Sequence, residues 1–247
     1  MNINEEIYKS ISSNLIGNRG CLEEILWANI FHDSIIGSEW LRGQSFAPGR
    51  AAIGYPTLYA LYRILDEFQP QRILEMGLGQ STKMISAYAK WKEKKNETCE
   101  HIVIEHDQSW IDFYTKKNEV SKNTKIFQLD LVQAYVPMEN GEETSVNLYK
   151  DFGQRLGDKK YDLIFIDGPF GSPIYSRIDI LDILPECLEK SFIIMLDDAQ
   201  RQGEDNTVKM IKQAILNDGR KLAFGYYTGQ KSTAIITSKN LHFYCTM

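Results

Sequence analysis

Short apolar runs punctuate the chain at Arg72–Met76, 101–105, 125–129, Tyr161–Ile166, 192–196, 222–227 and 233–237. Stretches with helical spacing separate most of them, at 82–94, 109–118, 178–188 and 207–217. Strands that alternate with helices build βαβ units around a parallel sheet. The runs Leu163-Ile164-Phe165-Ile166 and Phe192-Ile193-Ile194-Met195-Leu196 are apolar without alternation, as strands covered on both faces must be. Residues 228–232, with Gly229 among them, are all that separates the last two runs. No crossover helix fits there, so these two strands pair as an antiparallel hairpin. The pattern predicts an α/β fold: a Rossmann-like, doubly wound, mostly parallel sheet with a C-terminal antiparallel hairpin.

Upstream of the first strand the pattern is helical. Leu22, Ile25, Leu26 and Ile30 recur at close to helical period within residues 21–31. A segment rich in Gly, Pro and Ser follows at 43–55. A second helix starts at Pro56, carries Leu58, Leu61, Ile64, Leu65 and Phe68 on one face, and stops at Pro70. Residues 1–55 therefore read as an N-terminal helical cap and loop, and 56–247 as the principal domain. The stretch 131–160 is long for its place. It is either an insertion over the site or a surface excursion.

Composition narrows the function classes. At 247 residues, with 43% hydrophobic and 25% charged, the chain suits one soluble domain with a modest appendage. A net charge of -5 argues against a nucleic-acid partner, which usually meets a basic excess. Cys21, Cys99, Cys187 and Cys245 are scattered without a C-x-x-C pair, which disfavours a zinc site or a disulfide framework and fits a reducing cytoplasm. The polar, acidic N-terminus is unlike a signal peptide. No apolar run approaches the roughly 20 residues that span a bilayer. The expected location is cytoplasmic, and the chain is compatible with a homodimer.

The candidate chemistry lies at strand ends. Ile73-Leu74-Glu75-Met76-Gly77-Leu78-Gly79-Gln80-Ser81 joins a buried strand to a helix through two glycines, with Ser81 placed to cap the helix. Such a turn lets the backbone approach a ligand, and the amides at the helix start favour anionic groups. Glu105, at the end of the second strand, offers a carboxylate able to accept two hydroxyl hydrogen bonds, and His106 and Asp107 follow it. Asp130 ends the third strand. The fourth and fifth strands end in Asp167-Gly168-Pro169 and Asp197-Asp198-Ala199-Gln200-Arg201. In a doubly wound sheet these carboxylates converge beyond the strand ends, where they need a cation, a shared proton or a basic partner.

Glu75, Gly77 and Gly79 match the E/D-x-G-x-G motif of the class I S-adenosylmethionine (AdoMet)-dependent methyltransferases, which the chain resembles from about Arg72 to Thr237. The resemblance implies an AdoMet site built from Glu75, Gly77, Gly79, Ser81, Glu105, Asp130 and Asp167, with Glu105 on the ribose and Asp130 near the adenine. Asp167, Asp197 and Asp198 resemble the acidic set of metal-dependent catechol-type O-methyltransferases, which implies a divalent cation, magnesium or manganese. The simpler reading is that Asp197 or Asp198 caps a helix or pairs with Arg177 or Arg201.

Asp167-Gly168-Pro169, Arg177 and the later Asp-Asp-x-x-Arg are similar to methyltransferases of polysaccharide assembly. That similarity implies transfer to a hydroxyl of a sugar precursor or small molecule. The candidate bases are Asp167, then Asp198, then His106. The loop from Trp40 to Tyr55 either folds over the site, with Arg42 or Arg50 binding an anionic sugar, or anchors the cap through Trp40 and Phe46. Two other classes compete: an NAD- or nucleotide-sugar-binding Rossmann enzyme, and a non-catalytic AdoMet binder. Thr82 stands where a dinucleotide fingerprint requires Gly or Ala, which disfavours the first.

Overall fold

The computed structural model describes residues 3–49, 52–138 and 141–247, with side chains described from residue 19 onward. In chain order its elements are α1 (Ile3–Ile35), α2 (Tyr55–Arg63), β1 (Arg72–Met76), α3 (Gln80–Lys94), β2 (Glu100–Glu105), α4 (Gln108–Lys117), β3 (Thr124–Gln128), β4 (Leu131–Pro137) and β5 (Glu143–Tyr149). There follow α5 (Phe152–Leu156), β6 (Tyr161–Ile166), β7 (Leu188–Leu196), α6 (Gln202–Asn217), β8 (Leu222–Thr228) and β9 (Ser232–Ser238). A 3-10 turn spans Ile178–Asp182, and another closes the chain at Lys239–Cys245.

The main sheet has the order β3-β2-β1-β6-β7-β9-β8. All its pairings are parallel except those of β9, which runs antiparallel to both β7 and β8. This is the expected doubly wound sheet with its C-terminal hairpin. Alternate strand residues point to opposite faces. Ile73, Leu163 and Ile193 meet α1, α2 and α3 in one core, which also holds Phe31 and Trp40 of the N-terminal segment. Leu74, Ile164 and Ile194 meet α5 and α6 in the other. Both faces are covered, so the central runs carry no polar alternation.

Three local expectations are corrected, and one stretch left open gains a definite form. The expected helix at 178–188 is instead a single 3-10 turn and irregular chain that leads into β7 at Leu188; Pro185, which donates no backbone hydrogen bond, sits inside the stretch. In the long stretch after β3, Leu131–Pro137 and Glu143–Tyr149 pair as a two-stranded sheet, β4 with β5, apart from the main one. Gly79, not Ser81, is the N-cap of α3; Ser81 lies inside the helix and gives its hydroxyl to Glu75. Within α1, Leu22, Ile25 and Leu26 face solvent, while Trp27 and Phe31 face the body. Trp27 donates its indole N–H to the Thr228 carbonyl at 3.0 Å.

The loop after α1 acts as an anchor. Trp40 is buried, bonds Asp66 at 2.8 Å and packs on Tyr62 and Tyr88. Phe46 packs edge-on against Phe31. Arg42 is exposed, and Arg50 lies outside the described residues.

Candidate active site

The carboxyl ends of β1, β2, β6 and β7 open on a cavity of about 490 Å³, as the crossover rule for such sheets requires. Its lining includes Gly77, Gly79, Ser81, Glu105, His106, Asp167 and Asp198, seven of the residues expected from sequence. The β1–α3 turn makes one wall. Gly77 has φ +97°, and a Cβ there would come within 3.0 Å of the Asp167 carbonyl oxygen, so its glycine is a backbone requirement. Gly79 differs. Its φ of -170° is open to any residue, and a Cβ would meet nothing within 4 Å. The space in front of Gly79 is the cavity itself.

Glu105 is almost buried and braces this turn. Its carboxylate accepts from the backbone N–H of Leu78 at 3.1 Å, His106 at 2.7 Å and Asp107 at 3.0 Å. His106 Nδ1 lies 2.7 Å from the same carboxylate, and its ring meets Phe170 edge-on. Trp110 closes that side, with its indole N–H on the Leu78 carbonyl at 2.8 Å.

Glu75 and Asp130 stand apart from the other candidates. Glu75 is fully buried beneath the turn; it accepts from Ser81 and lies 2.9 Å from His101 Nε2. It does not line the cavity, and its effect on a ligand passes through the turn that it holds. Asp130 is exposed and borders a separate depression beside Lys150 and Arg155. The chain runs from β3 straight into the β4–β5 pair, and this carries Asp130 away from the cavity.

At the opposite wall Asp167, Asp197 and Asp198 bring carboxylate oxygens within 4.8 Å of one another. Arg177, with 4% of its side chain exposed, lies between them: Nη2 is 3.2 Å from Asp167 Oδ1 and 3.4 Å from Asp198 Oδ2. Arg201 reaches Asp198 at 3.0 Å, and Lys231 reaches it at 3.3 Å. Burial pushes the Asp167 carboxyl up to about 7; Asp197 and Asp198 add to the rise, and Arg177 and Lys231 oppose it. Asp197 is wholly buried and acts as a strut, accepting from Thr57 at 3.0 Å and Thr233 at 2.6 Å. Its other oxygen has no hydrogen-bond partner.

Sequence reasoning missed Tyr149, Phe170 and Lys231 in the lining, and weighed Arg177 and Arg201 as ion-pair partners and as part of a resemblance without placing them in the site. They come from turns and from β5, where no strand-end pattern points to them. Asp167-Gly168-Pro169 was the one available signal for the Phe170 loop.

No protein-family model and no curated protein matches the chain. Among solved structures it is similar to a methyltransferase from Pyrococcus furiosus, at 15% identity and a TM-score of 0.44, over 85% of this chain and 95% of that one. It is also similar to the METTL16 methyltransferase domain, at 13% identity and 0.46, over 83% and 76%. A third is the T. thermophilus 16S rRNA N2 G1207 methyltransferase in complex with AdoMet and guanosine, at 12% and 0.46, over 80% and 44%. The strand order above, not these scores, establishes the fold. Among the described residues no helix is long and apolar enough to cross a membrane.

Proposed function

We propose that the chain is an AdoMet-dependent methyltransferase acting on a hydroxyl of a small molecule or glycan precursor. The observation that carries this reading is the open space before Gly79, on a turn whose neighbouring wall is Glu105, in a cavity sized for one ligand. A backbone that any residue could adopt, left without a side chain, suits close approach of a ligand. When bound, AdoMet supplies an electrophilic methyl group; its transfer to an acceptor oxygen breaks the carbon–sulfur bond and leaves the electron pair on sulfur.

The chain's residues divide the work. The first turn of α3 takes the cofactor's carboxylate, and the acceptor site left on Glu105 beside its three backbone N–H bonds takes a ribose hydroxyl. Asp167 removes the acceptor's proton, with Asp198 as second candidate. A base whose proton affinity is raised toward neutrality suits a weakly acidic hydroxyl. Arg177 holds Asp167 and Asp198 in one arrangement. His106 borders the cofactor side of the cavity, facing Phe170.

The three clustered carboxylate oxygens favour a second reading, in which a divalent cation sits among Asp167, Asp197 and Asp198 and acidifies the hydroxyl. Their oxygen donors suit magnesium or manganese. Such a cation has to displace the contact that Lys231 makes there. Against an NAD-type site, Thr82 is fully buried and its hydroxyl accepts from the Gly79 amide at 2.9 Å, where a dinucleotide turn needs a small residue.

Calorimetric titration with AdoMet and S-adenosylhomocysteine, with and without magnesium or manganese and with NAD as control, tests the reading. Micromolar adenosyl binding that NAD does not share is the expected result, and extra heat from the cation favours the second reading. Silence from both adenosyl ligands overturns the first. A methyl-transfer screen beginning with sugars then separates an enzyme from a binder that lacks turnover.

A further inference from the structure

A second cavity, of about 860 Å³, adjoins the first. Its walls come from α1 (Cys21, Glu24), the start of α2 (Tyr55), the β7–α6 turn (Gln200, Arg201) and the β8–β9 turn (Gln230, Lys231). Arg201 and Lys231 line both cavities. Their cationic ends lie 3.0 and 3.3 Å from Asp198, so the two spaces meet at the carboxylate cluster.

We propose that this second cavity is the acceptor site and that it takes a neutral, polyhydroxylated molecule, whose reacting hydroxyl reaches the carboxylates between Arg201 and Lys231. The inference rests on the methyltransferase reading of the first cavity. Each space is within the range that holds one small ligand, about 300–1,000 Å³. A transfer between two molecules needs two such spaces in contact, and they touch beside Asp198, the second candidate base, which Arg177 links to Asp167.

Charge selects the class of ligand. Arg177, Arg201 and Lys231 face Asp167, Asp197, Asp198 and Glu204, and Glu24 adds a further carboxylate on the far wall. The cations are spoken for by acids, so no surplus positive charge awaits an anion. The remaining lining offers the amides of Gln200 and Gln230, the hydroxyls of Thr228 and Ser232, and the ring of Tyr55. Amides and hydroxyls both donate and accept, as a polyol requires.

The wall is preformed. Glu24 on α1 accepts from the backbone N–H of Tyr55 at 2.6 Å and of Gln230 at 3.1 Å, which fixes the helix to both turns. At the junction Arg201 is half exposed and held by Asp198 at 3.0 Å, and Lys231 is tied to the Ala52 carbonyl at 3.0 Å.

Cys21 reports on this space. It is exposed on the cavity wall, and the other three cysteines are buried. The rate at which N-ethylmaleimide alkylates Cys21 in the full chain, followed by mass spectrometry, measures occupancy, and Cys21→Ser shows that the signal comes from this thiol. Methyl glucoside should slow alkylation about threefold at twice its dissociation constant, as mass action requires, with or without S-adenosylhomocysteine. Glucuronate at the same concentration should not. Absence of protection by the glycoside, or stronger protection by glucuronate, overturns the proposal. The alkylated protein should bind S-adenosylhomocysteine as the unmodified protein does, and a parallel loss would show that the cavities are not distinct sites. Failure of the unmodified protein to bind S-adenosylhomocysteine instead overturns the methyltransferase reading, and does so in a separate titration.

Discussion

Arg177 Nη2 lies 3.2 Å from Asp167 Oδ1, and the arginine is almost entirely enclosed. A buried cation beside the candidate base has two effects. It offsets part of the desolvation that raises the carboxyl, and it depends on that carboxylate for its own compensation. Arg177→Met should therefore cost about 3–5 kcal/mol of stability, the usual result of breaking a buried pair. In whatever fraction folds, the acid limb of the transfer rate should move to higher pH, because the cation that opposes protonation of Asp167 is gone. Denaturant unfolding and a pH–rate profile check the two halves; a profile that stays in place would separate Arg177 from the base.

Asp167→Asn retains the shape and removes the proton acceptor. It should leave S-adenosylhomocysteine affinity within about threefold and lower transfer by about 10²–10⁴, the usual worth of a general base. Calorimetry and single-turnover transfer measure both. Full activity in this variant would move the base to Asp198 or His106.

Gly79→Arg places a side chain in space that is open and borders the cavity. Nothing within 4 Å opposes its Cβ, so thermal unfolding should change little. Adenosyl binding should fall by about 100-fold or more, since a guanidinium-bearing chain replaces the ligand's volume. Unchanged affinity would displace the cofactor from this turn.

Asp179 lies outside the proposed chemistry. It is buried, accepts from the Tyr149 amide through one oxygen, and has no partner for the other. Burial raises its carboxyl to about 7 from an unfolded value near 3.8. The folded state thus keeps a proton that the unfolded state releases, and stability falls as pH rises through this window, then levels off above it. The span corresponds to at most about 4 kcal/mol at 1.36 kcal/mol per pH unit. Asp179→Asn should flatten the dependence of stability on pH between about 4 and 7. A slope unaltered by the substitution would assign the linkage elsewhere.

The strands were legible because buried parallel strands cannot hide. The runs 163–166 and 192–196, within β6 and β7, are apolar on both faces, and the short link through Gly229 forces a hairpin. The β4–β5 pair escaped notice because it is separate from the main sheet and largely half-exposed, so it bears no continuous apolar run. Residues 178–188 carry helical spacing, but their apolar side chains fill the core from a 3-10 turn. In the site, strand-end acids were readable from position alone. Glu75 was not: its place in the motif suggests ligand contact, while its full burial against Ser81 and His101 makes it a support. Lys231 was invisible because a turn lysine becomes informative only when folding sets it over Asp198.

Glu24 is enclosed by two turns whose glycines leave room for its carboxylate. A Cβ on Gly54 would stand 3.0 Å from one of its oxygens, and a Cβ on Gly229 would collide with the other. A side chain at Gly229 would push the Glu24 carboxylate from its place, one at Gly54 would crowd it, and losing the acid strands two backbone amides at once. Glu24, Gly54 and Gly229, from three distant parts of the chain, thus form one interlocked joint that ties α1 to the start of α2 and to the β8–β9 turn.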